Sequence, residues 1–119
     1  MFKIIDITER ELIALEVEGK LTEEDYNKIT PLIDKAVTDF GKVKLYIQLN
    51  YVDGIAPKAF WEDVKTYLRH FNHMKKIAVV GKSRWEKLWS ELAAPFISGE
   101  VKYFEFTAID EAREWVKDY

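Results

Sequence analysis

The residue types that could do chemistry in this chain fall in three places, and in each the spacing limits what that chemistry can be. Gly81-Lys82-Ser83 follows a short apolar run and opens a helix-like stretch, as the end of a phosphate-binding loop does. That loop needs another glycine five residues earlier, where this chain has Lys76, so the stretch reads as a strand-to-helix turn capped by Ser83. A helix start still favours negative charge, which leaves Lys82 and Ser83 as an anion-binding candidate. His70 and His73 stand about one turn apart, with Glu62 and Asp63 about two turns upstream. A metal wants three or four converging ligands and only the imidazoles have suitable local spacing, so no metal site is read and the histidines suit a helix carboxyl end. Glu62 and Asp63 are sequence neighbours and point in different directions on a helix, which makes them a poor acid/base pair. With no cysteine and no placeable Ser-His-Asp order, the chain reads as a non-enzyme that needs no cofactor.

The third place is an aromatic surplus. Trp61, Val64 and Leu68 on one helical stretch, with Trp85, Leu88, Trp89, Phe96 and Ile97 on and after the next, can line a cleft for an acyl chain or another small apolar or lipid-like molecule. Identical stripes make an ordinary core or a contact with a second copy of the chain, and periodicity does not separate the three.

The elements that must position these residues are legible from hydrophobic period. Ile77-Ala78-Val79-Val80 is a short buried strand that runs through Gly81 into an amphipathic helix, with Ser83 and Glu86 at capping-box spacing and Trp85, Leu88, Trp89, Leu92, Ala93 and Phe96 on one stripe. Earlier, Phe2–Asp6 and Leu12–Glu18 predict an antiparallel hairpin whose second strand is half-buried, joined by the polar turn Thr8–Glu11. Thr22 then caps a helix with Glu23, Glu24 and Asp25 in its first turn, a stripe of Tyr26, Ile29, Ile33, Ala36, Val37 and Phe40, and Gly41 as its stop. Pro31 lies inside that stripe and predicts a kink or a division into two short helices near Thr30. Val43, Leu45, Ile47 and Leu49 alternate with Lys44, Tyr46, Gln48 and Asn50, which predicts a strand buried on one side and mostly wet on the other. Pro57 opens a helix carrying Phe60, Trp61, Val64, Tyr67, Leu68 and Phe71. Val101–Phe106 is the last strand, and a helix with Ile109, Ala112, Trp115 and Val116, capped by Thr107, ends the chain.

The order is β-β-α-β-α-β-α-β-α, an α/β domain spanning residues 1–119 with no internal repeat. A helix precedes each later strand, so strands two to five should be parallel, with an antiparallel strand at the N-terminal edge. One-step crossovers of one hand would set most helices on one face and leave the other half-open. A net charge of −3 and a pI near 5.5 argue against a general nucleic-acid binder. The absence of cysteine fits a reducing compartment, and no apolar run approaches the ~20 residues of a membrane span, so the expected location is cytoplasmic without integral membrane association.

Gly19-Lys20-Leu21-Thr22 with Glu24-Asp25-Tyr26, Trp61-Glu62-Asp63 with Lys65 and His70, Ile77–Gly81 with Trp85, Pro95-Phe96 and Val101–Phe104 together resemble the SpoIIAA-like family of small bacterial STAS-type proteins. The resemblance runs over nearly the whole chain. It implies a STAS-like βα superhelix with a mostly parallel five-stranded sheet, similar to the fold of the CRAL-TRIO lipid carriers. Anti-sigma-factor antagonists that share this fold carry a phosphorylated serine or threonine at the start of the helix after the third strand. Here that region, Asn50–Pro57, offers no hydroxyl except Tyr51, so no phosphoserine switch is expected. Two readings follow: a module that binds a small apolar molecule between helices, or an interaction module that is homo-oligomeric or bound to a regulatory protein partner.

Overall fold

The computed structural model describes residues 2–6, 8–19, 21–51, 62, 66–67, 72–82, 91, 95 and 99–118. Its strands are β1 (Phe2–Ile4), β2 (Leu12–Glu18), β3 (Val43–Tyr51), β4 (Met74–Gly81) and β5 (Glu100–Glu105), and its long helices are α1 (Glu23–Phe40) and α2 (Ile109–Lys117). The middle two helices of the predicted order fall largely outside the described residues.

The sheet runs β1-β2-β3-β4-β5 in sequence order. Its first pair is antiparallel, with Phe2 opposite Val17 and Ile4 opposite Leu15, and β2 to β5 are parallel, as the alternation of elements predicts. Rows of side chains cross the strands in register: Ile13, Leu45, Ile77 and Val101 form one, and Leu15, Ile47, Val79 and Tyr103 another. Both rows belong to a core that α1 closes with Ile29, Ile33 and Ala36.

The opposite face differs from the expectation that it is half-open. Helix α2 lies across β3, β4 and β5 and buries Ala112 and Val116 against Leu12, Ala14, Tyr46, Ala78, Val80 and Phe104. The row Ala14, Tyr46, Ala78 explains how the helix fits: the small neighbours leave room for the Tyr46 ring, and Ala112 meets the sheet with no bulk of its own. Lys44, Tyr46 and Gln48, expected to be wet, are therefore 2%, 0% and 6% exposed. Alternation correctly assigns them a different face from Leu45 and Ile47. The helix that dries that face is some 60 residues away in sequence and leaves no mark on the local pattern.

Helix α1 is capped as predicted, and more tightly. The Thr22 hydroxyl accepts from the Asp25 amide at 3.2 Å while the Asp25 carboxylate accepts from the Thr22 amide at 2.9 Å, a complete capping box. Gly41, at φ 76°, ends the helix. Pro31 does not divide it: one helix runs from Glu23 to Phe40, Ile29 and Ile33 bury both sides of the proline, and the Thr30 hydroxyl donates to the Tyr26 carbonyl at 2.8 Å. Phe40, expected in the buried stripe, is 39% exposed at the last turn. Thr107 does not cap the last helix, because a single 3-10 turn, Phe106–Ala108, intervenes and Ala108 occupies the cap position.

The cap makes a testable stability statement. Thr22→Ala should lower the unfolding free energy by about 1 kcal/mol in urea titrations, the usual loss for such a residue. The Thr22 amide beside the Asp25 carboxylate holds its pKa below the ordinary aspartate value. A carboxylate depressed in the folded state contributes fully above its unfolded pKa and loses that contribution as pH falls through the lower folded value. Asp25→Asn should therefore be least stable relative to wild type at neutral pH, and the difference should shrink in acid.

Candidate functional site

In parallel α/β sheets, ligands collect beyond the carboxyl ends of the strands. Here β3 and β4 are parallel neighbours ending at Tyr51 and Gly81, so the stretches that follow them both start from the same end of the sheet. A described residue of the first stretch, Tyr67, packs on α1. Tyr67 stacks on Tyr26 with ring centroids 4.4 Å apart, and its hydroxyl lies 2.6 Å from that of Thr30. Burial pushes the Tyr67 phenol above its usual pKa, so it stays a neutral hydroxyl.

Those two stretches carry the residues that the sequence singles out for a ligand. Trp61, Val64, Leu68, Trp85, Leu88, Trp89, Phe96 and Ile97 lie outside the described residues, as do His70, Asp63 and Ser83 of the anion and metal readings. Residues 52–57, where a phosphorylated hydroxyl would be sought, lie outside them too. Lys82 is described: it is exposed, and its ammonium sits 4.7 Å from the centre of the Phe106 ring. Among the described residues no three His, Cys, Asp or Glu side chains converge as metal ligands.

The sheet face under α2 holds a polar system that strand alternation alone assigns to solvent. At the amino ends of the strands, the Lys44 ammonium donates to the carbonyls of Lys117 and Asp118 at 3.1 and 3.2 Å and lies 3.5 Å from the Glu11 carboxylate. Alongside it the Lys76 ammonium donates to the carbonyls of Trp115 and Asp118 at 2.9 and 3.0 Å and stands 4.9 Å from the Trp115 ring centre. The last carbonyls of a helix have no intrahelical donors and carry its negative dipole end, so two buried cations satisfy both the hydrogen bonds and the field. Glu11 is held below the usual carboxylate range, first by its hydrogen bond to backbone and then by the Lys44 charge.

Toward the carboxyl ends, the Tyr46 hydroxyl donates to Gln48 Oε1 at 2.7 Å, and Gln48 Nε2 donates to Asn50 at 2.9 Å and Glu16 at 3.3 Å. Burial pushes the Tyr46 phenol up in pKa against the opposing pull of Arg113, whose guanidinium lies 5.7 Å from the ring centre. A protonated Tyr46 with both ends of the Gln48 amide engaged orients and fills this face. Tyr46→Phe should cost about 1–2 kcal/mol by leaving Gln48 Oε1 buried without its donor, as read by urea unfolding. The trace of this system in the sequence is not in the local pattern: Lys44, Gln48 and Lys76 are long polar side chains able to reach partners on a covering helix, and nothing near them names that helix.

A recess of about 990 Å³ runs along α2 past Asp110, Arg113, Glu114 and Lys117. Its walls carry charges of both signs, which is the character of a solvated helix face.

The SpoIIAA-like family model matches residues 12–117. No curated protein matches the chain. Among solved structures, an uncharacterized protein with a SpoIIAA-like fold from Shewanella loihica PV-4 is similar at 31% identity and a TM-score of 0.67, covering 97% of this chain and 93% of its own. A family match over residues 12–117, joined to a solved SpoIIAA-like fold at 31% identity over 97% of the chain, places it: the chain belongs to the SpoIIAA-like family.

Proposed function

We propose that this SpoIIAA-like protein is a non-catalytic binding module that holds a small apolar or lipid-like molecule beyond the carboxyl ends of β3 and β4, against Trp61, Val64, Leu68, Trp85, Leu88, Trp89, Phe96 and Ile97. The observation that carries the reading is the parallel pairing of β3 with β4, because it starts both aromatic stretches from one end of the sheet. Tyr67 supports it by setting part of the first stretch on the α1 side, opposite the face that α2 has filled. Pockets for small molecules are mostly apolar with a few placed polar groups, and these stretches supply that mixture, with Lys82 and Ser83 near the start of the second.

Three of the four tryptophans, Trp61, Trp85 and Trp89, belong to the proposed lining, and the fourth, Trp115, is on α2. Titration with a long-chain fatty acid should shift and saturate the intrinsic tryptophan emission. The response should persist in Trp115→Phe and fall in Trp61→Phe combined with Trp85→Phe. Emission that does not saturate, or that responds only through Trp115, would remove the support for this reading.

A further inference from the structure

The two edges of the sheet are treated differently. On β5 the exposed residues are Glu100, Lys102 and Glu105, charges that discourage a further strand. The β1 edge carries a single charge, Lys3, between Phe2 and Ile4. Among the described residues the exposed large hydrophobics are Ile4 at 48%, Leu32 at 38% and Phe40 at 39%, and all three line a single groove of about 350 Å³ between β1 and α1. Ile13 and Ala36, each 4% exposed, form part of its floor, and Arg10, Lys35 and Asp39 its rim.

We propose that this edge and groove bind a second copy of the chain, with β1 pairing antiparallel to β1 of the partner about a twofold axis near Ile4. The proposal is independent of the ligand reading. Hydrogen bonding sets the register: the Ile5 amide already bonds to the Ala14 carbonyl at 2.9 Å, so antiparallel alternation turns the backbone groups of Phe2 and Ile4 outward. Placing Ile4 opposite Ile4 of the partner subunit pairs those groups reciprocally and keeps Lys3 from facing its own copy, a like-charge contact that the next hydrogen-bonded register, two residues along with its axis at Lys3, would create. Ile4 pairs with Leu15, whose side chain belongs to the α1-side core, so the same register brings the two grooves together on the α1 side. The mixed-sign rim favours a second copy over a ligand of one charge. A twofold axis can set Arg10 and Lys35 of one copy toward Asp39 of the other, whereas an anion or a cation alone meets repulsion from one of them.

Only a short strand and three apolar side chains meet, so the dimer should be concentration-dependent rather than obligate. Sedimentation of the wild-type chain from micromolar to millimolar concentration should show a monomer–dimer equilibrium, weakened at least tenfold by Ile4→Lys and by Leu32→Glu. Both sites are partly exposed, and circular dichroism checks that each variant stays folded. Because the chain has no cysteine, Ile4→Cys gives a second readout. Facing residues in a hydrogen-bonded antiparallel pair have Cα atoms about 5.5 Å apart, within disulfide reach, so oxidation should give a covalent dimer while Lys102→Cys on the β5 edge does not. A monomer at every concentration, a dimer indifferent to Leu32→Glu, or equal crosslinking from both edges would overturn the proposal. So would a monomer that binds an apolar dye and loses it in Leu32→Glu, which would assign the groove to a small molecule.

Discussion

Gly99→Ala is expected to lower the unfolding free energy by about 3 kcal/mol or more. Gly99 sits at φ 88°, where L side chains are strained, and immediately precedes β5. A Cβ there would run into the Met74 carbonyl, with its carbon 2.8 Å and the Lys75 oxygen 2.9 Å away. These are backbone atoms at the start of β4, and Met74 is itself 4% exposed and paired with Val43, so they cannot rotate aside as a side chain would. Gly41 supplies the control: it too has positive φ, at 76°, but a Cβ there meets nothing within 4 Å. Gly41→Ala should cost only about 1 kcal/mol, the conformational part. Equal losses in the two variants, measured by urea unfolding, would mean that the approach of Gly99 to β4 does not constrain the β4–β5 pairing.

Lys76→Ala should cost about 3 kcal/mol and loosen the end of the last helix. The substitution leaves the Trp115 carbonyl without its ammonium donor, takes one of two such donors from the Asp118 carbonyl, and opens a space beside the Trp115 ring. Lys76→Met keeps most of the stem's packing and also removes a buried charge, so it should lose less, near 2 kcal/mol, with the carbonyl penalty retained. Hydrogen exchange gives the local readout: amides of α2 should lose protection in both variants, while those of α1, on the other face, follow only the global change. If α2 exchange were unmoved by Lys76→Ala, the two-lysine clamp would not be what holds that helix to the sheet.

The contrast between β3's two sides shows what a sequence can carry. Val43, Leu45, Ile47 and Leu49 announce a strand because alternation is a local property of the chain, and neighbouring strands then stack those residues into rows. The burial of Lys44 and Gln48 is not local, since it depends on α2 returning from the far end of the chain. Both polar residues keep their hydrogen bonds inside the protein, so their chemistry looks the same on paper as that of a wetted face. Pro31 misleads for a related reason: it removes one amide bond, yet Ile29, Ile33 and Ala36 hold the helix on both sides of it. Thr107 has the right chemistry for a cap but falls one residue early, inside the 3-10 turn. The groove beside β1 is not legible in the sequence because Phe40 has the spacing of a core residue, and Leu32 and Ile4 meet it only once the hairpin folds against α1. The aromatic lining is legible in one respect only. Periodicity says that Trp85, Leu88 and Trp89 share a side, and one pattern serves core, subunit contact and pocket alike.

Native mass spectrometry of the protein as purified from its host cells, followed by solvent extraction and analysis of the extract, tests the binding reading most directly. The account predicts a population heavier than the bare chain by the mass of a small apolar molecule, returned to the bare mass by extraction and restored by adding the extract back. Protein that is always recovered at its bare mass and never takes up the extract, while Trp61, Trp85 and Trp89 fluoresce as a filled core, would contradict it.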